Sequence, residues 1–175
     1  SMVVDAFSGD FLGGIYNLTM AMTLTDLSAT SATDTITSNG DATVTIDTTQ
    51  APFVLASVTG TSLTTDTNTS SETLTDFQTT QTVDGTVQTN PYTLSSTGTL
   101  DTTELPGTID YDTPVTFLGD DFGYPHTGEL LVTGANSSAR LIAVDAQNVR
   151  IEIDSDGDGT VDETLNMTWD ELAAS

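Results

Sequence analysis

Apolar side chains recur at every second position along much of this chain, and this period limits the structures that it can form. The clearest run begins at Tyr16 and continues through Leu18, Met20, Met22 and Leu24, with Asn, Thr or Ala between them. Successive side chains of a β-strand point to opposite faces, so the spacing predicts a strand with one apolar and one polar face. On a helix the same residues would be spread around the axis and would form no apolar stripe.

Turn signals separate this strand from further alternating runs. Asn39-Gly40 lies between two such runs, and Asn-Gly in that setting is the strongest short-range signal for a hairpin turn. Asp84-Gly85 predicts another turn. Residues 59–72 are rich in Thr, Ser, Asn and Asp, which indicates a long loop or the polar end of a strand. Residues 1–13 carry Phe and Leu among Gly and Asp without a clear period, which points to irregular structure.

The last third of the chain allows a prediction of strand register. A two-residue turn at 146–147 would place Val144 opposite Val149 and Ile142 opposite Ile151, with all four side chains on the core face. The pairing is self-consistent and predicts a meander that leads into the acidic stretch after residue 153.

The predicted fold is all-β. The chain has 175 residues, which suits a single domain over residues 1–175, and its turns separate about ten to twelve antiparallel strands. Helical character is limited to a short turn at residues 170–174, so parallel βαβ folds are excluded. The strand count fits either a β-sandwich or an open barrel, and periodicity does not distinguish between them.

The stretch after residue 153 predicts a calcium site. It reads Asp-Ser-Asp-Gly-Asp-Gly-Thr-Val-Asp-Glu, and Ca²⁺ takes six to eight oxygen ligands, so several carboxylates must converge on one point. Glycine at the sixth position permits the sharp turn, and the seventh residue would supply a backbone carbonyl. The candidate ligands are Asp154, Asp156, Asp158, Thr160, Asp162 and Glu163.

This stretch resembles the calcium loops of EF-hands, dockerins and thrombospondin type 3 repeats over about a dozen residues. It departs from the EF-hand pattern at the twelfth position, where Leu165 replaces the bidentate Glu, so that Asp162 or Glu163 would have to complete the shell. The flanking residues alternate with period two instead of forming helices. We therefore expect a calcium-clamped β-hairpin over residues 148–169, and a metal-free acidic turn is the alternative.

The charge balance restricts the partners. The chain has 26 acidic and two basic residues, for a net charge of −24, and its polar residues are largely Thr. Nucleic acids and anionic membranes need clustered Lys and Arg, so both are excluded as partners. Salt and Ca²⁺ relieve such self-repulsion, which favours a halophilic-like setting outside the cell; we expect the export signal to lie outside this sequence. The absence of Cys rules out disulfides.

The leading hypothesis is a non-catalytic, calcium-stabilised β domain of a secreted or cell-surface bacterial protein, acting in adhesion or as a structural module. An alternative is a carbohydrate-binding module in which aromatic rings form a sugar platform, the candidates being Tyr111, Phe122, Tyr124 and Trp169. A loop around His126 and its acidic neighbours is a further candidate rim. A third hypothesis is a hydrolase that uses a carboxylate pair; without Lys or Cys, a Schiff base and a thiolate nucleophile are excluded. The partner would be a glycan or another surface protein.

Overall fold

A computed structural model describes residues 1–10, 12–30, 34–50 and 53–174. These residues form eleven strands and one short helix. In chain order they are β1 (Met2–Asp10), β2 (Ile15–Thr30), β3 (Thr35–Asp47), β4 (Phe53–Asp66), β5 (Ser71–Asp84), β6 (Tyr92–Thr102), β7 (Ile109–Gly119), β8 (Thr127–Thr133), β9 (Ser138–Ala143), β10 (Asn148–Asp154), β11 (Glu163–Thr168) and α1 (Trp169–Ala173).

The strands make a single open sheet. Each strand pairs antiparallel with the next one in the chain, and the spatial order β1 to β11 is also the chain order. The all-β prediction is confirmed, and so is the predicted meander. Over the described ranges there is one sheet and no second layer of strands, so of the two predicted architectures the β-sandwich is not formed.

The strand register places most of the apolar residues on one face of the sheet. In antiparallel pairing, directly opposed residues point to the same side, so one row of partners can be followed from strand to strand. One such row links β2 to β7 through Leu24, Gly40, Leu63, Leu74, Leu100 and Ile109. We call this side the apolar face, and we call the other side, where Thr and Asp predominate, the polar face.

Two β-bulges keep this segregation intact in the long strands. The tetrapeptide Thr-Leu-Thr-Asp occurs twice, ending at Asp26 in β2 and at Asp76 in β5, and both Asp residues have φ of 47°. The pairing register shifts at each of these positions. An inserted residue in the left-handed region absorbs one position of the alternation, so Leu27 returns to the same face as Leu24.

The best-packed part of the apolar face lies toward the C-terminus. Phe117, Ala143, Val149 and Trp169 form a buried cluster, and Val149 is the most buried large side chain, with 1% of its surface exposed. Trp169 is fixed at the start of α1, where Thr168 and Glu171 form a reciprocal capping box. The helix therefore holds an aromatic ring over the last strands of the sheet.

The predicted turns were partly wrong. Asn39-Gly40 is not a hairpin turn but lies inside β3, where Gly40 adopts a φ of 141° and packs against the backbone of Ser62. Residues 59–72 are strand except for a short connection at 67–70, because polar Thr side chains suit a half-exposed sheet. A turn does follow Asp84, but the connection extends to residue 91 because β6 begins only at Tyr92.

The first thirteen residues also differ from the irregular structure predicted for them. Residues 2–10 form the edge strand β1, which pairs with β2 through a register that shifts between Val4 and Ala6. This irregularity breaks the simple alternation and explains why the sequence showed no period. Phe11, which belongs to the same predicted segment, lies outside the described residues.

The predicted register between β9 and β10 was wrong by one residue. Val149 pairs with Ala143, and Ile151 pairs with Leu141, which leaves Val144 51% exposed. The connection is longer than the expected two residues, because the Asp145 carboxylate accepts hydrogen bonds from the Gln147 and Asn148 amides. These bonds, together with the Asn148 side chain, hold the pKa of Asp145 below its usual range.

This register can be tested with two valine substitutions. We expect Val149→Ala to lower the free energy of unfolding by about 2 kcal/mol, since it leaves a cavity in the buried cluster. Val144→Ala should change it by less than about 0.5 kcal/mol, as is usual for exposed positions. Urea denaturation of both variants measures the difference. Equal losses would contradict the observed pairing.

Candidate metal centre

The acidic loop connects the last two strands of the sheet. Strand β10 pairs with β11 from Asn148 opposite Thr168 to Ile153 opposite Glu163, and the Asp162 amide donates a 2.8 Å hydrogen bond to the Ile153 carbonyl at the top of the ladder. The predicted hairpin over residues 148–169 is thus present as strand, loop, strand. The loop between the strands carries the predicted ligands.

Carboxylate-to-backbone hydrogen bonds shape the loop. One Asp154 oxygen accepts from the Gly157 amide at 2.7 Å, and the other accepts from the Gly159 amide at 2.9 Å. Asp158 accepts from the Thr160 amide at 2.7 Å. Short polar side chains that bond to nearby amides stabilise tight turns, and here they curl the chain around Asp154.

Two glycines make this curl possible. Gly157 has a φ of 75° and Gly159 a φ of 86°, both in the left-handed region where a side chain is strained. Gly157 also lies against the neighbouring β8–β9 turn, since a Cβ placed on it would come within 3.0 Å of the Asn136 backbone. Gly159 has no atom within 4 Å of such a Cβ. Any other residue at position 157 would therefore be strained in its backbone and would also lack room for its side chain.

The carboxylates of Asp154, Asp156 and Asp162 converge. One oxygen from each lies within 4.8 Å of the others; Asp154 is half-buried, and the other two residues are exposed. Of the remaining predicted ligands, Asp158 and Glu163 are outside this group, and Glu163 lies in β11 opposite Ile153. The structure thus brings together three of the predicted carboxylates.

Among the described residues, no Arg or His nitrogen lies within 4.0 Å of these three carboxylates. The two arginines of the sequence lie on β9 and β10, where Arg140 is 3.6 Å from Glu129 and Arg150 is 3.0 Å from Glu152. Each guanidinium therefore has its own carboxylate. Hydrogen bonds from the Ser155 hydroxyl and amide hold the pKa of Asp162 below its usual range, so this carboxylate stays ionised at neutral pH.

The predicted aromatic residues do not form one platform. Tyr124 stacks on Trp169 with ring centroids 5.5 Å apart, and Phe122 stacks on Tyr92 with centroids 6.5 Å apart. Tyr111 packs against Gly98 in the neighbouring strand. Trp169 is buried, whereas Phe122 is 69% exposed, so these rings belong to separate environments.

His126 lies in the β7–β8 connection, four residues after Phe122. Its Nε2 atom is 3.5 Å from an Asp120 carboxylate oxygen, and its amide donates to the Leu118 carbonyl at 2.8 Å. The same loop contains two consecutive residues with positive φ, Asp121 at 51° and Phe122 at 57°. Tyr92, which supports Phe122, was not among the predicted residues; its position two residues after Asn90 and directly after Pro91 gave no functional signal.

The chain was compared with known protein families, curated proteins and solved structures, and none of them matches it. In the part of the chain that the structure describes, no helix has the length and apolar character needed to cross a membrane.

The two loop glycines predict different costs of substitution in the absence of metal. We expect Gly159→Ala to lower the free energy of unfolding by about 1 kcal/mol, because only the left-handed backbone is strained. Gly157→Ala should cost more, roughly 2–3 kcal/mol, because its Cβ would also press on the Asn136 backbone. Thermal and urea unfolding in EDTA measure the loss of unfolding free energy in both variants. A larger loss for Gly159→Ala would contradict the observed loop packing.

Proposed function

We propose that this chain is a non-catalytic β domain of a secreted or cell-surface bacterial protein, and that Ca²⁺ bound by the acidic loop stabilises it. The observation that carries the proposal is the convergence of the Asp154, Asp156 and Asp162 carboxylates without a basic partner. In this assignment Asp162, and not Glu163, completes the carboxylate set.

The chemistry of the loop favours Ca²⁺ over other cations. All of the converging ligands are carboxylate oxygens, which are the hard donors that Ca²⁺ and Mg²⁺ prefer, and the chain has no Cys to form a thiolate site. Mg²⁺ demands near-ideal octahedral geometry, whereas Ca²⁺ accepts irregular shells of six to eight oxygens. An exposed loop with three carboxylates can supply part of such a shell and leave the rest to water and backbone carbonyls.

The position of the loop favours a structural role. It joins β10 to β11, the hairpin that carries Val149 and leads directly into Trp169, and both of these side chains belong to the buried cluster. A cation that holds the three carboxylates together would fix the end of this hairpin. Binding would therefore stabilise the best-packed part of the sheet without changing its architecture.

The charge of the chain favours a location outside the cell. A net charge of −24 opposes compaction by self-repulsion, and this repulsion weakens as the ionic strength rises. Extracellular calcium modules bind at about 10⁻⁴–10⁻³ M, so they are occupied outside cells and empty in the cytosol. A structural or adhesive module at the bacterial surface would meet both the salt that weakens self-repulsion and the Ca²⁺ that fills such a site.

Thermal unfolding at fixed ionic strength tests this proposal. We expect Ca²⁺ to raise the midpoint relative to EDTA, by an amount that corresponds to about 2.7 kcal/mol at a hundredfold excess over Kd, and Mg²⁺ to have a smaller effect. Asp156→Asn should abolish the Ca²⁺-dependent shift, because it removes one of the three converging carboxylates.

The matched control is Asp112→Asn, which removes an exposed carboxylate from β7 and makes the same change in net charge. This variant should keep the full response to Ca²⁺. A wild-type midpoint that is the same in EDTA and Ca²⁺ would refute the calcium site. Equal loss of the response in both variants would show that only bulk charge matters.

Carbohydrate binding is the second candidate, and the geometry of Phe122 favours it. This ring is 69% exposed, is supported from behind by Tyr92, and is held out by a backbone with a φ of 57° that a bulky residue rarely adopts. Aromatic faces provide large apolar contact area at low conformational cost, and His126 and Asp120 in the same β7–β8 connection offer polar atoms.

A pull-down on insoluble polysaccharides, with Ca²⁺ present, tests the second candidate. We expect Phe122→Ala to reduce the bound fraction at least tenfold if the ring is the platform. The control is Val3→Ala on β1, which removes another exposed apolar side chain, on the polar face of a strand that does not pair with β7 or β8. If none of the polysaccharides retains the wild-type protein, this candidate is eliminated.

A further inference from the structure

Part of the apolar face is exposed to solvent. Seven of its large side chains on β1–β4 are between 36% and 67% exposed, whereas others between them, such as Met20 and Val44, are half-buried. The seven are Met2, Val4, Phe7, Leu27, Ile36, Val54 and Val58, and we call them the open apolar patch. One row of paired residues runs from Val4 through the half-buried Met20 and Val44 to Val58. Four adjacent strands are about 19 Å wide, so this row crosses the sheet over that distance.

The other half of the same face is covered. Over β7–β11 the buried cluster includes Phe117 and Val149, and Trp169 at the start of α1 packs on it. Exposed apolar patches on monomers seldom exceed a few hundred Å². A face that is covered at one end and open at the other lacks a second layer over β1–β4.

The total surface area supports the same conclusion. The chain exposes 10393 Å² at a mass of 18.3 kDa, whereas a compact monomer of this mass exposes about 8,100 Å². The excess is about 2,200 Å². Stable interfaces bury about 800 Å² from each partner, and obligate homodimers bury more. The excess surface is therefore large enough to supply one partner's share of an obligate interface.

The acidic residues of β3 and β4 do not obstruct this surface. The register places Asp41, Asp47 and Asp66 on the polar face, opposite to the row through Val44 and Val58. Asp41 is also engaged there, because it accepts hydrogen bonds from the Thr61 and Ser62 amides. On these two strands the apolar face is thus neutral, although the chain as a whole carries a charge of −24.

We infer that a second copy of this chain covers the open apolar patch, so that two sheets pack face to face across β1–β4. Stacked sheets pack about 10 Å apart with interdigitating side chains, and a two-fold axis would bring the same patch from each copy together. A basic protein would be attracted to the charged polar face, whereas a neutral apolar patch matches its own copy. This arrangement points both polar faces outward and keeps the acidic residues of the two copies apart.

Two adjacent valines on β1 provide the test. Val4 is on the apolar face and is 55% exposed, while Val3 is on the polar face and is 54% exposed. Sedimentation equilibrium or light scattering in 0.5 M NaCl should give twice the chain mass for the wild type. We expect Val4→Asp to raise the dimer dissociation constant at least tenfold, because it places a carboxylate in the interface, and Val3→Asp to leave it unchanged.

A second pair of variants shows whether an effect seen on β1 comes only from misfolding of this edge strand. Val58→Asp and Leu55→Asp change residues of similar exposure, 37% and 40%, on opposite faces of the interior strand β4. Circular dichroism verifies that the variants are folded. A wild type that remains monomeric at 100 µM would overturn the inference, and so would a dimer that Val3→Asp or Leu55→Asp disrupts as strongly as the apolar-face variants. The result is independent of the calcium site, since it is measured both in EDTA and in Ca²⁺.

Discussion

The alternation of side chains across paired strands is the constraint on which this structure depends. A one-residue slip in any pair would exchange the two faces, yet the apolar row from Leu24 to Ile109 remains on one side through six strands. Bulges at Asp26 and Asp76 absorb the extra residues that would otherwise invert the pattern. Thr is frequent on the opposite face, where its β-branched side chain suits a strand and its hydroxyl can bond across strands, as between Thr64 and Thr73.

Segregation of the faces also organises the charge. In β3, β4 and β7 the acidic side chains lie on the polar face, and the two arginines pair with Glu129 and Glu152 within the sheet. The acidic loop between β10 and β11 is therefore left without a basic partner at the place where three carboxylates converge. A divalent cation is the simplest way to neutralise them. Our calcium proposal thus follows from the distribution of charge as well as from the motif.

The sequence predicted the all-β class, the meander and the final hairpin because those features depend only on local alternation. It could not locate Gly40, whose Asn-Gly signal normally marks a turn, since the long pairing of β3 with β2 and β4 overrides local turn preference. The β9–β10 register was missed because hydrogen bonds to the Asp145 carboxylate lengthen the turn. Side-chain bonds of this kind are not visible in a pattern of apolar residues.

The candidate site was predictable to a similar extent. Spacing alone identified the acidic loop and Gly159, but it did not indicate the role of Gly157, and it left open which residue completes the carboxylate set. Asp162 joins the group because its carboxylate bonds back to Ser155 across the loop, whereas Glu163 is already committed to strand β11. Which residues converge depends on how the loop closes, and closure is a property of the folded hairpin.

The most direct test of the account is a Ca²⁺ titration of the ¹⁵N-labelled chain, followed by NMR. We predict that amide shifts concentrate at residues 154–162 and saturate at about millimolar Ca²⁺, with smaller changes along β10 and β11. Shifts that are absent, or that spread evenly over the acidic residues of the whole sheet, would contradict a specific calcium site in this loop.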